Sequence, residues 1–231
     1  MPVPTSRRSL LALVAVGAAA LASCSVERGD RLEVDRTDPG PLIDAAERGD
    51  LARVRELLDA GVDVDRARSD GVTALVAAAY PGRVEVARLL LERGADPNHE
   101  DSSEQSAFLI ATSEVGDDPR LLDLTFAHGA DVAAKDSFNG TGLIRAAHRG
   151  YPRVCARLIE EGVEVDHVNE LGWTALLEAV ILGDGDVPHQ EVVRLIVAAG
   201  ADRSVRDPSG RTALDHAREK GQREIIALLE G

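Results

Sequence analysis

The chain has 231 residues, and a hydrophobic content of 44% is enough to build a folded core, which argues against an intrinsically disordered protein. Aromatic residues make up only 3%, so the core must consist of small aliphatic side chains, and neither a deep cavity nor a cofactor is expected. The formal net charge of -14 argues against nucleic acid and anionic lipid surfaces as partners.

The N-terminus is predicted to be an export signal. Residues 1–8 are basic, and the uncharged run at residues 10–22 has signal-peptide length and is too short to span a bilayer comfortably. Leu21-Ala22-Ser23-Cys24 resembles a bacterial lipobox, which implies removal of residues 1–23 and lipidation of Cys24. Residues 6–11 are also similar to a twin-arginine signal, and an ordinary cleaved leader stays open. Residues 24–37 are polar and predict a tether, so the expected location is the cell envelope, on the periplasmic or extracellular side.

Two short sequence markers recur along the rest of the chain and keep one register. The first is a Gly-Val/Ala-Asp/Glu triplet, and the second is a Thr/Ser-Ala/Gly-Leu/Phe triplet. Both step by 33, 35, 33 and 38 residues, with the first starting at Gly61, Gly94, Gly129, Gly162 and Gly200 and the second at Thr73, Ser106, Thr141, Thr174 and Thr212.

These repeats resemble the ankyrin-repeat family, whose unit runs D-x-x-G-x-T-P-L-H-x-A-A-x-x-G and then an apolar helix ending L-L-x-x-G-A-D. Residues 207–214 and 169–176 match the first half, and residues 89–96 match the second. Alanine replaces the family's proline, and Val76, Leu177 and Asp215 replace its histidine. The resemblance covers residues 38–231 and implies an all-α solenoid of six ankyrin repeats with hairpin-like turns. The predicted units are residues 38–65, 66–98, 99–133, 134–166, 167–203 and 204–231.

The residue pattern within one unit agrees with this resemblance. The threonine of the second marker can cap a first helix, and residues 84–92 predict an amphipathic second helix that Gly94 ends. The first unit lacks the turn signature and reads as an N-terminal cap. The polar residues of the last unit, Arg218, Glu219, Lys220, Gln222, Arg223 and Glu224, predict a polar outer face. Residues 115–119 and 183–189 predict inserted loops, which either contribute to binding or are harmless length variation.

Catalytic and metal-binding signatures are weak. The six histidines are interpreted as occupying different repeat positions, so no metal site is predicted. Asp184, Asp186 and His189 form one local cluster, which leaves a small hydrolase or metal-dependent enzyme using residues 183–190 as an alternative. Cys155 lies at helical spacing and is predicted to be a core residue.

The family resemblance implies that turn residues and the ends of the first helices contact a protein partner. At those positions the fourth and fifth units carry several apolar residues with charged neighbours, a composition typical of interaction sites. Trp173→Ala is expected to weaken binding while leaving unfolding nearly unchanged, although packing of Trp173 on its own turn stays open. The predicted protein-binding residues are Tyr80, Phe138, His148, Arg149, Glu170, Leu171, Trp173, Ile181 and Leu182.

The sequence therefore predicts an exported, monomeric, non-enzymatic scaffold that binds another protein through its turns and inner helices. A purely structural envelope lipoprotein is the second alternative. Six generic repeats do not identify the partner.

Overall fold

A computed structural model describes residues 35–231 of the chain. The predicted signal peptide, Cys24 and most of the predicted tether lie outside these residues. Within residues 35–231 the fold consists of twelve α-helices and no extended strand, which confirms the predicted all-α repeat architecture. None of these helices is long and apolar enough to cross a membrane.

The helices form six antiparallel pairs that stack in two rows. The inner row contains α1 (Gly40–Arg48), α3 (Ala74–Ala79), α5 (Ala107–Ser113), α7 (Gly142–Arg149), α9 (Ala175–Ile181) and α11 (Ala213–Lys220). The outer row contains α2 (Leu51–Asp59), α4 (Val84–Glu92), α6 (Arg120–Ala127), α8 (Pro152–Glu160), α10 (Val187–Ala198) and α12 (Arg223–Glu230). Each helix packs against its own partner, and neighbouring helices of each row pack closely against each other, with the exception of α6 and α8. One continuous core runs along the stack.

The second sequence marker caps five of the six inner helices, as predicted. The hydroxyl groups of Thr73, Ser106, Thr141, Thr174 and Thr212 each accept a hydrogen bond from the backbone N–H three residues later, at 3.2 to 3.5 Å. Each such cap stabilises a helix by about 1 kcal/mol. The first inner helix starts at Pro39 without a side-chain cap, which agrees with the missing turn signature in the first unit.

The turns between repeats are closed by one polar residue that lies five positions before the cap. Asp136 Oδ1 accepts hydrogen bonds from the backbone N–H groups of Phe138 and Gly140 at 3.0 and 2.8 Å. Asn169 Oδ1 does the same for Leu171 and Trp173, both at 3.0 Å. These hydrogen bonds fix the backbone that carries the predicted binding residues of the fourth and fifth turns. Isolated antiparallel bridges join residues 135 and 141 and residues 206 and 212, so two turns are hairpin-like as predicted.

The prediction that all six histidines occupy different repeat positions is wrong. His99 and His167 both lie five residues after the glycine of the first marker, and the Nε2 atom of each contacts a carbonyl oxygen of the preceding turn. The distances are 2.9 Å from His99 to Gly71 and 2.8 Å from His167 to Asn139. These two histidines therefore join successive turns.

The second inserted segment is shorter than predicted. Residues 187–189 form the first turn of α10 instead of a loop, because Asp186 caps that helix by accepting a hydrogen bond from the His189 backbone N–H at 3.1 Å. Pro188 lies in the first turn, where its missing N–H costs nothing. The loop that remains covers residues 182–186.

Two polar residues of the last repeat link it to the fifth repeat. Five of the six residues predicted to form its polar outer face are exposed, and Gln222 is the exception. Gln222 is buried, and its amide donates to the carbonyl oxygens of Val180 and Gly183 at 3.3 and 3.0 Å. Lys220 donates to the same two oxygens and to that of Ile181, at 3.2, 2.7 and 2.8 Å. These groups satisfy carbonyls at the C-terminal end of α9, where the helix dipole also favours a cation.

Candidate functional site

A groove of about 330 Å³ lies along the inner row at the third, fourth and fifth repeats. We call it the inner groove. Its walls come from three successive inner helices and the turns that precede two of them. The residues that line it are Ser113, Glu114, Asp136, Phe138, Gly140, Ile144, Arg145, His148, Arg149, Asn169, Leu171, Glu178 and Leu182.

The rim of the inner groove is apolar. Phe138 in the fourth turn, Leu171 in the fifth turn and Leu182 after α9 keep 61%, 49% and 41% of their surface exposed. The two turns are held side by side, because the Glu170 backbone N–H donates to the Phe138 carbonyl at 2.9 Å. Large exposed apolar side chains that gather on one surface are typical of interaction sites.

The floor of the inner groove contains an arginine that joins two repeats. The Arg145 guanidinium donates to Asp136 Oδ2 in its own repeat at 3.0 Å. It donates to Gln105 Oε1, Ser113 Oγ and Thr112 Oγ1 in the preceding repeat at 2.9, 2.8 and 3.3 Å. The side chains of Arg145 and Asp136 are only 13% and 12% exposed. The network therefore holds a charged pair in a largely buried setting, with most of the guanidinium donors satisfied.

Glu178 of α9 lies in the same groove and is 5% exposed. Its Oε1 contacts Nδ1 of His148 at 3.2 Å, whereas its Oε2 makes no hydrogen bond with any residue from 35 to 231. Burial first, and the nearby Asp136 carboxylate second, raise the pKa of Glu178 to about 7, and Asn169 beside it acts in the opposite direction. Burial first, and then the cationic neighbour Arg149, lower the pKa of His148.

Five of the nine predicted binding residues line the inner groove: Phe138, His148, Arg149, Leu171 and Leu182. Glu170 lies in the same turn as Leu171 but outside the lining. Tyr80 is exposed at the end of α3, one repeat away, and its pKa is raised by burial and then by Asp101 and Glu114. The role of these residues in binding stays a prediction.

Trp173 and Ile181 are half-buried and pack against the core. The expectation that Trp173→Ala leaves unfolding nearly unchanged therefore does not fit the packing, because truncating a large side chain that packs on the core also lowers stability. Phe138 replaces Trp173 as the residue whose truncation reports on binding alone.

Arg145, Asp136 and Glu178 were missed by sequence reasoning, although a signal was present. Arg145, Glu178 and His216 each lie four residues after the helix cap of three successive repeats. The earlier repeats have Ala77 and Ile110 at that step. Residues at the same position of successive repeats lie on the same side of the stack. Charged or polar residues at that position in otherwise apolar helices therefore predict a row of polar groups there.

Asp186, His189 and Cys155 have structural roles. Asp186 caps α10 and also contacts Nδ1 of His189 at 2.6 Å, while Nε2 of His189 lies 3.3 Å from the His148 carbonyl. No group of three potential ligands among residues 35–231 is arranged to hold a metal. Cys155 is fully buried and unpaired in α8, and burial strongly raises the pKa of its thiol.

The stacked helix pairs define the molecule as a helical-repeat solenoid with an open groove along its inner row. A family model described as three copies of ankyrin repeats matches residues 14–101, 108–207 and 143–230, and the chain belongs to the ankyrin-repeat family. Members of this family are typically non-enzymatic interaction modules, and ankyrin repeats generally mediate protein–protein interaction.

Known bacterial proteins are similar over most of the chain. The putative ankyrin repeat protein YahD of Escherichia coli is 33% identical over 192 residues, which cover 83% of this chain and 94% of YahD. An ankyrin repeat domain from Acinetobacter baumannii has a TM-score of 0.78 at 40% identity, covering 84% of this chain and 97% of that domain. A solved complex of a predatory endopeptidase from Bdellovibrio bacteriovorus with an immunity protein contains a chain with a TM-score of 0.70 at 25% identity. That match covers 82% of this chain and 96% of the other.

Proposed function

We propose that this protein is an exported, lipid-anchored scaffold without enzymatic activity that binds a partner protein through the inner groove. The observation that carries the proposal is the row of exposed apolar side chains, Phe138, Leu171 and Leu182, on one groove. Exposing such side chains to water is unfavourable, and a partner that covers them gains the corresponding hydrophobic free energy.

Charged groups at the edge of the inner groove complete the pattern of an interface. Arg149 pairs with Glu114 at 3.2 Å, and both side chains remain partly exposed. Protein interfaces combine exposed apolar side chains with polar and charged neighbours, and aromatic and arginine side chains often dominate their affinity. The solved complex of an endopeptidase with an immunity protein contains a chain of this repeat architecture, which supports a role in a protein complex.

Truncating Phe138 is expected to weaken the complex without changing the fold. The ring is mostly exposed, so Phe138→Ala removes little core packing, whereas the loss of a rim anchor should weaken binding by about ten-fold, or about 1.4 kcal/mol. The measurement is affinity capture from envelope extracts with the full chain. The affinity of the recovered protein for wild type and for Phe138→Ala is then measured, and thermal melts of both show whether they are equally stable.

Val187→Ala is the matched control. Val187 is 74% exposed but lies at the start of α10, outside the inner groove, so its truncation should leave binding intact. Equal recovery of the partner by wild type and Phe138→Ala would contradict binding at this face. Failure to recover any specific protein would instead favour a structural envelope role.

The lipid anchor is tested separately through Cys24. We expect the wild-type chain to incorporate a labelled fatty acid and to sediment with membranes, because a diacylglycerol on the thiol adds apolar surface that partitions into lipid. Cys24→Ser should incorporate no label and leave the membrane fraction. Unchanged labelling of Cys24→Ser would rule out this residue as the lipidated one, and an unlabelled wild type would favour an ordinary cleaved leader.

A further inference from the structure

The charged side chains of the inner groove pair unevenly. Three carboxylates, Glu114, Asp136 and Glu178, face two guanidinium groups. Arg145 pairs with Asp136 at 3.0 Å, and Arg149 pairs with Glu114 at 3.2 Å, with Arg145 a further 3.9 Å from Glu114. Glu178 is therefore the one carboxylate of the groove without a guanidinium partner among residues 35–231, and its neighbour His148 is cationic only when protonated.

The position of Glu178 makes this imbalance costly. Its Oε2 is buried and accepts no hydrogen bond from the described residues, while Oε1 contacts His148 and the side chain of Asn169 lies beside the carboxyl group. A buried acceptor without a donor costs about 1 to 3 kcal/mol. Because Glu178 lies on an open groove, a molecule that binds there can supply this donor.

The surroundings specify which kind of donor fits. Phe138, Leu171 and Leu182 line the approach and can cover the methylene stem of a long side chain, while the aromatic face of Phe138 can stack on a cation. The strongly negative charge of the chain favours the approach of a basic partner.

We propose that the inner groove receives an arginine or lysine side chain of the partner protein and that Glu178 is the receptor for its cationic end. This inference rests on the proposed function and adds the chemistry by which the partner is recognised. Arg145 and Arg149 remain engaged by Asp136 and Glu114, so neither cation competes for Glu178.

His148 covers the receptor in the unbound protein. Its side chain is half-exposed while that of Glu178 is not, and its ring is in direct contact with Oε1. An exposed side chain changes rotamer readily, so the incoming cation displaces the imidazole and takes its place on the carboxylate.

The test uses three small probes and the isotope-labelled full chain. N-acetyl-arginine methylamide and N-acetyl-lysine methylamide carry the proposed cations, and N-acetyl-citrulline methylamide is the neutral analogue of the arginine probe. Nuclear magnetic resonance follows the backbone signals of Gly140 and Asn169 and the carboxyl carbon of Glu178 during titration with each probe. We expect saturable shifts with at least one cationic probe and about ten-fold weaker binding of citrulline.

Three variants assign the effect to Glu178. Glu178→Gln should weaken the cationic probe by about ten-fold. Glu191→Gln, which changes a carboxylate paired with Arg194 outside the groove, should leave binding unchanged. His148→Ala should bind the probe at least as tightly as wild type, because the cover is gone. Thermal melts of each variant confirm that it is folded.

Several results would overturn the inference. These are the absence of saturable shifts in wild type, equal binding of arginine and citrulline probes, or equal affinity of wild type and Glu178→Gln. Each of them leaves the capture of a partner by the Phe138 face intact as evidence for the proposed function. Conversely, probe binding at Glu178 together with indifference of the captured partner to Phe138→Ala would leave this site standing and refute the proposed interface.

Discussion

Arg145→Met is expected to lower the free energy of unfolding by about 3 to 5 kcal/mol, because it leaves the buried Asp136 without its cation. Methionine retains an unbranched apolar stem of similar bulk, so most of the loss reports on the guanidinium. The same exchange removes the hydrogen bonds to Gln105, Thr112 and Ser113 that join the fourth repeat to the third. Urea unfolding of the full chain, followed by circular dichroism, measures the change.

Arg149→Met is the control for a surface ion pair. Its partner Glu114 is partly exposed, so this exchange should cost less than about 1 kcal/mol. The double variant Arg145→Met, Asp136→Asn should recover part of the loss, because no uncompensated charge then remains. A loss below about 1 kcal/mol for Arg145→Met would show that the network contributes little to the interface between these repeats.

Loss of the Arg145 network should also alter the cooperativity of unfolding. In a stack of repeats each unit contacts only its neighbours, so weakening one interface can separate the transition into two steps. We expect the first three repeats and the last three to unfold less cooperatively in Arg145→Met than in wild type. Hydrogen exchange would localise the change to α5 and α7.

The fold could be predicted from the sequence because each repeat contains the same local sequence signals for helix starts, helix ends and apolar faces. The hydroxyl caps, the glycines that end second helices and the apolar spacing of residues 84–92 all act within one unit, and the structure realises them in every unit where they are present. Gly94 has the left-handed φ of 92° that its position at the end of α4 requires. The sequence predicts helix boundaries less well where two local signals compete. At residues 187–189 the glycine-rich sequence predicts a loop, but the Asp186 cap starts α10 there.

The candidate site could be predicted only in part, because its exposed apolar residues are visible in the sequence and its buried charged residues are not. Phe138, Leu171 and Leu182 stand at turn positions where apolar residues are unexpected, so sequence alone draws attention to them. Arg145 and Glu178 lie inside apolar helices, and which neighbours satisfy them depends on contacts between residues 30 to 40 positions apart. Such contacts follow from the stacking of repeats and are not visible in any single repeat.

Glu178→Gln is expected to stabilise the protein at neutral and alkaline pH and to have little effect in acid. The carboxyl has an ordinary pKa of 4.5, and burial raises it to about 7 in the folded chain. Below the lower value both states are protonated, and the buried acid costs little. Between the two values the unfolded chain has released its proton and the folded chain has not, so stability falls as pH rises. Above about pH 7 the full difference, about 3 kcal/mol, opposes folding.

Urea unfolding of wild type and Glu178→Gln at several values between pH 4 and pH 8.5 measures this difference directly, because all other titrating groups are common to both. The groups that face Glu178 are His148 and Arg145 of α7, Asp136 of the fourth turn and the amide of Asn169. Titration of His148 can change the shape of the curve of stability against pH near its midpoint. Introducing His148→Ala into both the wild type and Glu178→Gln separates that contribution. Parallel stability curves across the whole range would show that Glu178 titrates normally.

The sign of this effect bears on why the residue is a glutamate. Folding does not explain a carboxylate that lowers stability at neutral and alkaline pH and that glutamine could replace without loss of shape. Residues that destabilise a fold and lie on an open groove are most readily accounted for by binding. A cation that binds Glu178 would lower its pKa back towards 4.5 and offset the free energy that burial of the carboxylate costs. The partner would therefore stabilise the protein most at neutral and alkaline pH, where the free protein is least stable.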